Sequence, residues 1–213
     1  MRHEGEDLTC AVTLKSLSPG MLLNPGQGNL LEHLFYGRPP KSGVGQSSMD
    51  VARERLLLNN RGEIIVPTRY VMATLINAGK QVPYARKAML TTERDTWVSG
   101  LLDLLDSELA LTDHDGSEVK WAPTKFPCWT ESRQKHNDLV VRPRIKRWQL
   151  TVGVRFNQSM IGEEKVKKLF ELAGLYVGLG DFRVGQNRRS RFGRFVVSGW
   201  ESASGGPLAL DAA

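Results

Sequence analysis

The feature that most restricts the fold is a stretch in which apolar and polar residues alternate without a fault. Trp148, Leu150, Val152, Val154 and Phe156 fall on one side; Gln149, Thr151, Gly153 and Arg155 fall on the other. Successive side chains of an extended chain point to opposite faces, so this is a strand with one buried and one solvated face. A strand of that kind needs a second layer over its apolar side. The sequence supplies one at once. From Gly162 to Ala173, the residues Val166, Leu169, Phe170 and Ala173 recur at helical spacing, and Glu163 and Glu164 suit the positive N-terminal end. Gly174 is placed to end that helix, and a further strand is expected from Phe192 to Trp200.

The other elements follow the same logic. Leu8, Cys10, Val12 and Leu14 alternate with Thr9, Thr13 and Lys15 in a strand from Leu8 to Leu17, stopped by Ser18-Pro19-Gly20. Gly26 to Gly37 can hold a short helix; Gly37 to Ser48 is a Gly/Pro/Ser loop without periodicity, and Met49 to Arg55 a helical turn or two. Asn59-Asn60-Arg61-Gly62 joins the apolar runs of Leu56–Val66 as a hairpin. From Thr68 to Gly79, Val71, Met72, Leu75 and Ile76 mark a core helix, with Thr68 as cap and Gly79 as stop. Pro83 to Arg142 reads as one core strand, within Trp97–Leu111, plus an inserted β-rich lobe that includes a turn at Asp113–Gly116.

In order these elements give β-α-β-β-α-β, the ferredoxin-like (RRM-like) α+β arrangement with both helices on one face of an antiparallel sheet. The expectation is a single domain over 1–213, with insertions at 19–58 and 83–142 and a flexible tail at 201–213. Parity assigns Thr9, Thr13, Lys15, Gln149, Thr151, Arg155, Arg194 and Ser198 to the open face. That face lacks the aromatics on which an ordinary RNA-recognition motif stacks bases.

Charge placement narrows the function. The chain of 213 residues carries a formal +6, yet Arg133 to Arg194 holds fifteen Lys/Arg against five Asp/Glu, leaving the remainder at −4. A basic third on a mildly acidic body is the footprint of a polyanion partner. Cys10 and Cys128 form no metal-ligand pair, and a reducing cytoplasm is the default compartment. The start MRHEGEDLTC has no apolar core, so no signal peptide is expected, and no run approaches the length of a membrane span.

Within the basic third, Gly174 to Val197 concentrates five glycines and the arginines Arg183, Arg188, Arg189, Arg191 and Arg194. Glycine lets backbone approach a ligand and offers amides; arginine forks two donors onto phosphate. A second basic run, Arg142-Pro143-Arg144-Ile145-Lys146-Arg147, precedes the alternating strand. Solvated charge is the alternative reading of both.

At this point the chain resembles the RAMP superfamily of CRISPR-associated proteins, RRM-like folds with a glycine-rich loop before the final strand. GEIIVPTRYVMATLINAGK resembles the family's strand-Pro-helix segment, Arg147–Ala173 fits its second strand-helix unit, and GLGDFRVGQNRRSRFGRFVV resembles its terminal loop and strand. The layout is most similar to the CRISPR effector backbone subunit, with Pro19–Leu58 and Pro83–Arg142 where that subunit has insertions. One departure is that Thr68-Arg69 follows Pro67 where the family has Gly-Ser.

The resemblance implies a cytoplasmic subunit that polymerises head to tail along a guide RNA and supports pairing with a complementary target, beside other effector subunits and away from membranes. It places guide-backbone contact on Gly178, Gly180, Gly185, Arg183, Arg188, Arg189, Arg191 and Arg194. Arg142, Arg144, Lys146 and Arg147 would lie alongside, with Lys15 and Arg155 on the open face and Arg69 after the proline. The Gly37–Ser48 loop would be the thumb that interrupts guide–target pairing.

Catalysis has weaker support. The resemblance offers His33 as base of a metal-independent endoribonuclease, because guide-processing relatives use a histidine near the glycine-rich loop; a half-buried helix histidine is the commoner meaning. Asp50 is the nearest match to the acidic residue with which some backbone relatives cut target RNA, and it reads equally as a solvated carboxylate or a helix cap. His3, His114 and His136 fall in a polar start, a hairpin tip and a basic linker. No P-loop, dinucleotide fingerprint, zinc spacing or catalytic triad is present, so no cofactor or metal is expected. Two other roles suit the same residues: a RAMP-like endoribonuclease, and a CRISPR-independent protein of a mobile element that coats single-stranded DNA or RNA.

Overall fold

A computed structural model describes residues 7–24, 47–85, 88–129, 137–185 and 190–204. In chain order they form β1 (Asp7–Ser16), β2 (Met21–Leu22), α1 (Ser48–Arg53), β3 (Ile65–Pro67), α2 (Thr68–Ala78), β4 (Pro83–Ala85) and β5 (Ala88–Met89). There follow α3 (Val98–Leu101), β6 (Leu102–Leu104), β7 (Glu108–Ala110), β8 (Trp121–Trp129), β9 (Asn137–Ile145), β10 (Gln149–Asn157), α4 (Glu163–Leu172) and β11 (Phe195–Ser204).

The main sheet has the order β11-β1-β10-β6 and is antiparallel throughout. With α2 between β1 and β6, and α4 between β10 and β11, this is the ferredoxin-like fold the sequence predicts. The buried side of β1 is Leu8, Cys10, Val12 and Leu14; that of β10 is Leu150, Val152, Val154 and Phe156. They pack in one core with Val71 and Leu75 of α2 and Val166, Leu169 and Phe170 of α4. Each such large apolar side chain contributes about 1.5–3 kcal/mol by leaving water, which is why the alternation fixes the register. The opposite face pairs Thr9 with Arg155, Thr13 with Thr151 and Lys15 with Gln149.

Several boundaries differ from the sequence reading. The core strand within Trp97–Leu111 is only Leu102–Leu104, because the preceding residues wind into α3 and Asp106 turns back, its carboxylate accepting from the Gly153 N–H at 3.0 Å. Thr68 is the first helical residue and not the cap; Pro67 occupies that position, and the Thr68 N–H donates to the Ser107 carbonyl. The α-helix does end before Gly79, as read, but without a left-handed turn: the chain tightens into a 3₁₀ turn over Gly79–Gln81. Gly174 does not end α4. The helix runs on into a π turn, Ala173–Val177, closed by Gly178 at φ +74°. Gly174 is small for a different reason, since a Cβ there would sit 2.2 Å from the Phe195 carbonyl oxygen.

The last strand starts at Phe195 and continues through Glu201–Ser204, where a tail was expected. Small residues suggested fraying, but strand pairing asks only for backbone. Ser202 and Ser204 lie opposite Cys10 and Leu8.

A second sheet, β2-β9-β8, flanks the first. The β8–β9 hairpin pairs Trp121 with Ile145 through to Trp129 with Asn137, and α1 packs against it. The Pro143 carbonyl accepts from the Leu23 N–H at 3.1 Å, so residue 143 directs its backbone polar groups toward β2. Pro123, directly opposite Pro143, therefore turns its nitrogen away from the sheet, and Pro127 shares that parity. The hairpin turns at 59–62 and 113–116 form as read, with Gly62 and Gly116 at positive φ.

Candidate nucleic-acid interface

The glycine-rich segment is stitched into the fold at both ends. The Leu179 N–H donates to Gly193 O (2.9 Å), Gly193 N–H to Gly20 O (2.8 Å), Asp181 N–H to Leu22 O (2.8 Å) and Gly185 N–H to Val177 O (2.9 Å). Thr74 of α2 donates its hydroxyl to the Tyr70 carbonyl (2.8 Å) and lies 3.2 Å from the Gly178 carbonyl oxygen. Gly193 sits at φ +77°, and a Cβ there would come within 2.0 Å of the Leu179 carbonyl oxygen. The amides of Gly178, Gly185 and Gly193 thus serve the protein's own carbonyls. These three amides are therefore not open to a ligand.

The segment draws arginines from two parts of the chain together. The Arg142 Nε donates to Asp181 Oδ2 at 2.7 Å, both side chains mostly buried at 11% and 16% exposed. Arg144 lies over the Phe192 ring, 5.5 Å from its centroid, and its Nε donates to the Pro19 carbonyl at 3.0 Å. Arg183 donates from Nη1 to the Gly180 carbonyl at 3.3 Å. The Nε atoms of Arg183 and Arg194 are buried without a hydrogen-bond partner among the described residues, while Arg191 is exposed. Buried donors left unpaired are costly unless an acceptor reaches them.

The remaining candidates are distributed more widely. Lys146 is exposed beside Arg147, whose Nε pairs with Asp113 Oδ1 at 2.8 Å. Lys15 and Arg155 are on the open sheet face, and Arg155 pairs with Asp103 at 2.6 Å. The Arg155–Asp103 pair is solvated on both sides and contributes little, whereas in the other pair Arg147 is exposed and Asp113 mostly buried. Arg69 is exposed in the first turn of α2 and stacks on Tyr70. Beside it, the Thr68 hydroxyl is buried without a partner among the described residues. Arg188, Arg189, His33, His136 and most of the Gly37–Ser48 loop lie outside the described residues.

Asp50 is in the first turn of α1, where Ser47 is the cap. The Ser47 hydroxyl donates to Asp50 Oδ2 (2.6 Å) and accepts from the Asp50 N–H (3.2 Å), a reciprocal capping arrangement. His114 also has a structural partner: its Nε2 is 2.8 Å from Ser16 Oγ, which ties the 113–116 turn to the end of β1.

Three contributors escaped the sequence reading. Asp181 binds Arg142 from 39 positions away and accepts from the Phe182 N–H at 3.0 Å. Phe182 itself is held at φ +50°, a conformation rare for a bulky residue. Phe192 supplies the ring under Arg144. The positive φ has a local trace in the glycines around it, but no local pattern announces a pair formed across the fold.

No protein-family model matches this sequence, and no curated protein matches it. In three dimensions it resembles a chain in the cryo-EM structure of the Type III-B Cmr-beta bound to cognate target RNA. That match has a TM-score of 0.55 and 11% sequence identity, and covers 93% of this chain. It spans 61% of the length of the other. At that identity the likeness is one of fold. No helix among the described residues is long and apolar enough to cross a membrane.

Proposed function

We propose that this protein is an RNA-binding subunit of a CRISPR-type ribonucleoprotein, holding the sugar–phosphate backbone of a guide RNA with its glycine-rich segment. The observation that carries this reading is the meeting of Arg142 and Arg144 with Arg183 and Arg194, the last two with buried Nε donors that lack an acceptor among the described residues. The shared fold with a chain of an RNA-bound CRISPR complex supports the same reading. In its fuller form, copies stack head to tail along the guide, beside other effector subunits. Base pairing with the target then selects sequence, while the protein contacts phosphate and shape. Arg69, with the unpaired Thr68 hydroxyl beside it, makes a second contact at the start of α2.

The test begins with the purified protein. Co-purifying nucleic acid, detected by its ultraviolet absorbance ratio and then sequenced, is expected to be short RNA of guide type. Recovery of nucleic acid of unrelated sequence would instead favour a general single-strand coating protein. Replacing Arg188, Arg189 and Arg191 together by Glu should weaken single-stranded RNA binding and flatten its salt dependence. Unchanged binding across a salt series removes the segment as the contact.

A further inference from the structure

A second arginine reaches the Arg142–Asp181 pair, from a part of the chain the reading above does not use. Arg55 follows α1, and its Nη1 donates to Asn24 Oδ1 at 3.1 Å. The β2–β9 register runs Met21 with Ile145 and Leu22 with Arg144, and Leu23 bonds Pro143. One step further sets Asn24 opposite Arg142, so Arg55 is brought to the same place on the ladder. Asp181 arrives from the other side, anchored by its own N–H on the Leu22 carbonyl.

Two guanidiniums therefore lie around one carboxylate, which bonds Arg142 and acts on Arg55 through its charge. Burial first, and the Arg142 charge second, push Arg55 below the ordinary arginine value, while Asp181 and Glu54 pull it back. The Asn24 oxygen that accepts from Arg55 is neutral and cannot offset this repulsion. Paired guanidiniums in half-buried surroundings are the arrangement that a phosphate oxyanion relieves, each arginine giving short charge-assisted bonds.

We propose that Arg55, Arg142 and Asp181 form a discrete phosphodiester site, in which Asp181 is an internal counter-ion that gives Arg142 up to a backbone phosphate of the bound strand. The proposal rests on the RNA-binding reading and adds a residue, Arg55, and a competitor, Asp181. It makes opposite predictions for the two. Losing Arg55 removes a phosphate contact; losing the Asp181 charge frees one.

The experiment is fluorescence anisotropy with a labelled single-stranded RNA over a salt series, on the full chain. Arg55→Gln, which retains a donor for Asn24, is expected to weaken binding roughly tenfold and to reduce the salt slope by about 0.7, the single-strand value for one phosphate. Arg55→Lys should keep most of that slope. Asp181→Asn, which retains an acceptor for the Phe182 N–H, should tighten binding and steepen the slope by about the same amount. Near-ultraviolet circular dichroism of each variant checks that the fold persists.

If Arg55→Gln and Asp181→Asn leave affinity and slope unchanged while the triple Arg188/Arg189/Arg191 variant weakens binding, the site is overturned and the broader reading stands. If none of these variants alters binding, both fall. If Asp181→Asn weakens binding as Arg55→Gln does, Asp181 is a scaffold residue and its role as counter-ion is refuted.

Discussion

The two halves of this molecule are held by different physics. The main sheet with α2 and α4 is organised by apolar repeats: every second residue of β1 and β10 enters one core, and the helices cover it. The flank made of β2, the β8–β9 hairpin and the glycine-rich segment depends on particular long-range contacts. These are a carboxylate on Arg142, an arginine on a ring, and backbone bonds at Gly193 and Asp181. The first half tolerates conservative apolar exchange. The second has few substitutes for any one contact, and it holds Arg142, Arg144, Arg183 and Arg194. Under the proposed RNA-binding role, affinity is open to change there without loss of the fold.

Three substitutions probe that contrast. The largest effect on stability is expected from Phe170→Ala in the core, a loss of about 3–5 kcal/mol measured by denaturant unfolding. If the fold survives, its RNA affinity should follow the folded fraction alone. Gly193→Ala should cost less, about 1–3 kcal/mol for a strained backbone position, yet lower RNA affinity by more than the folded fraction explains. Equal changes in stability and binding would remove the distinction between the halves.

The smallest effect is expected at Glu163, which fastens β11 to α4. Its Oε1 accepts from Trp200 Nε1 (2.7 Å) and Ser202 Oγ (2.9 Å) and pairs with Lys167 at 3.2 Å. The Ser202 hydrogen bond, with those from Lys167 and Trp200, holds this carboxyl below its ordinary value against a smaller opposing effect of burial. A depressed carboxyl stabilises the fold above its unfolded-state pKa, and that contribution disappears as pH falls through the folded-state value. Glu163→Ala should cost about 1 kcal/mol near neutrality. The difference from the parent should shrink in acid, as followed by thermal unfolding across pH, and RNA binding should not change.

Legibility in the sequence divides along the same line. Strand β10, helix α4 and the sheet order rest on periods of two and 3.6, which the sequence displays directly, so the fold class was open to reading. Helix ends were not. Gly174 resembles a terminator because glycine usually is one there, whereas its size is set by Phe195, which comes 21 residues later. The arginines of the glycine-rich segment were visible as charge. That Arg142 is already paired with Asp181, and that Arg55 joins them, depends on α1, β2 and β9 meeting in space. That the amides of Gly178, Gly185 and Gly193 serve the protein's own carbonyls was not legible, because composition does not say which carbonyl lies opposite.

The outward nitrogens of Pro123 and Pro127 carry one more consequence. Of the five β8 positions whose backbone points away from β9, two have no hydrogen to donate. An incoming strand would find an interrupted ladder at β8, the edge of the smaller sheet among the described residues, which disfavours continued pairing there. Crowding many copies together does not lead there to the runaway cross-chain stacking to which open sheet borders are prone.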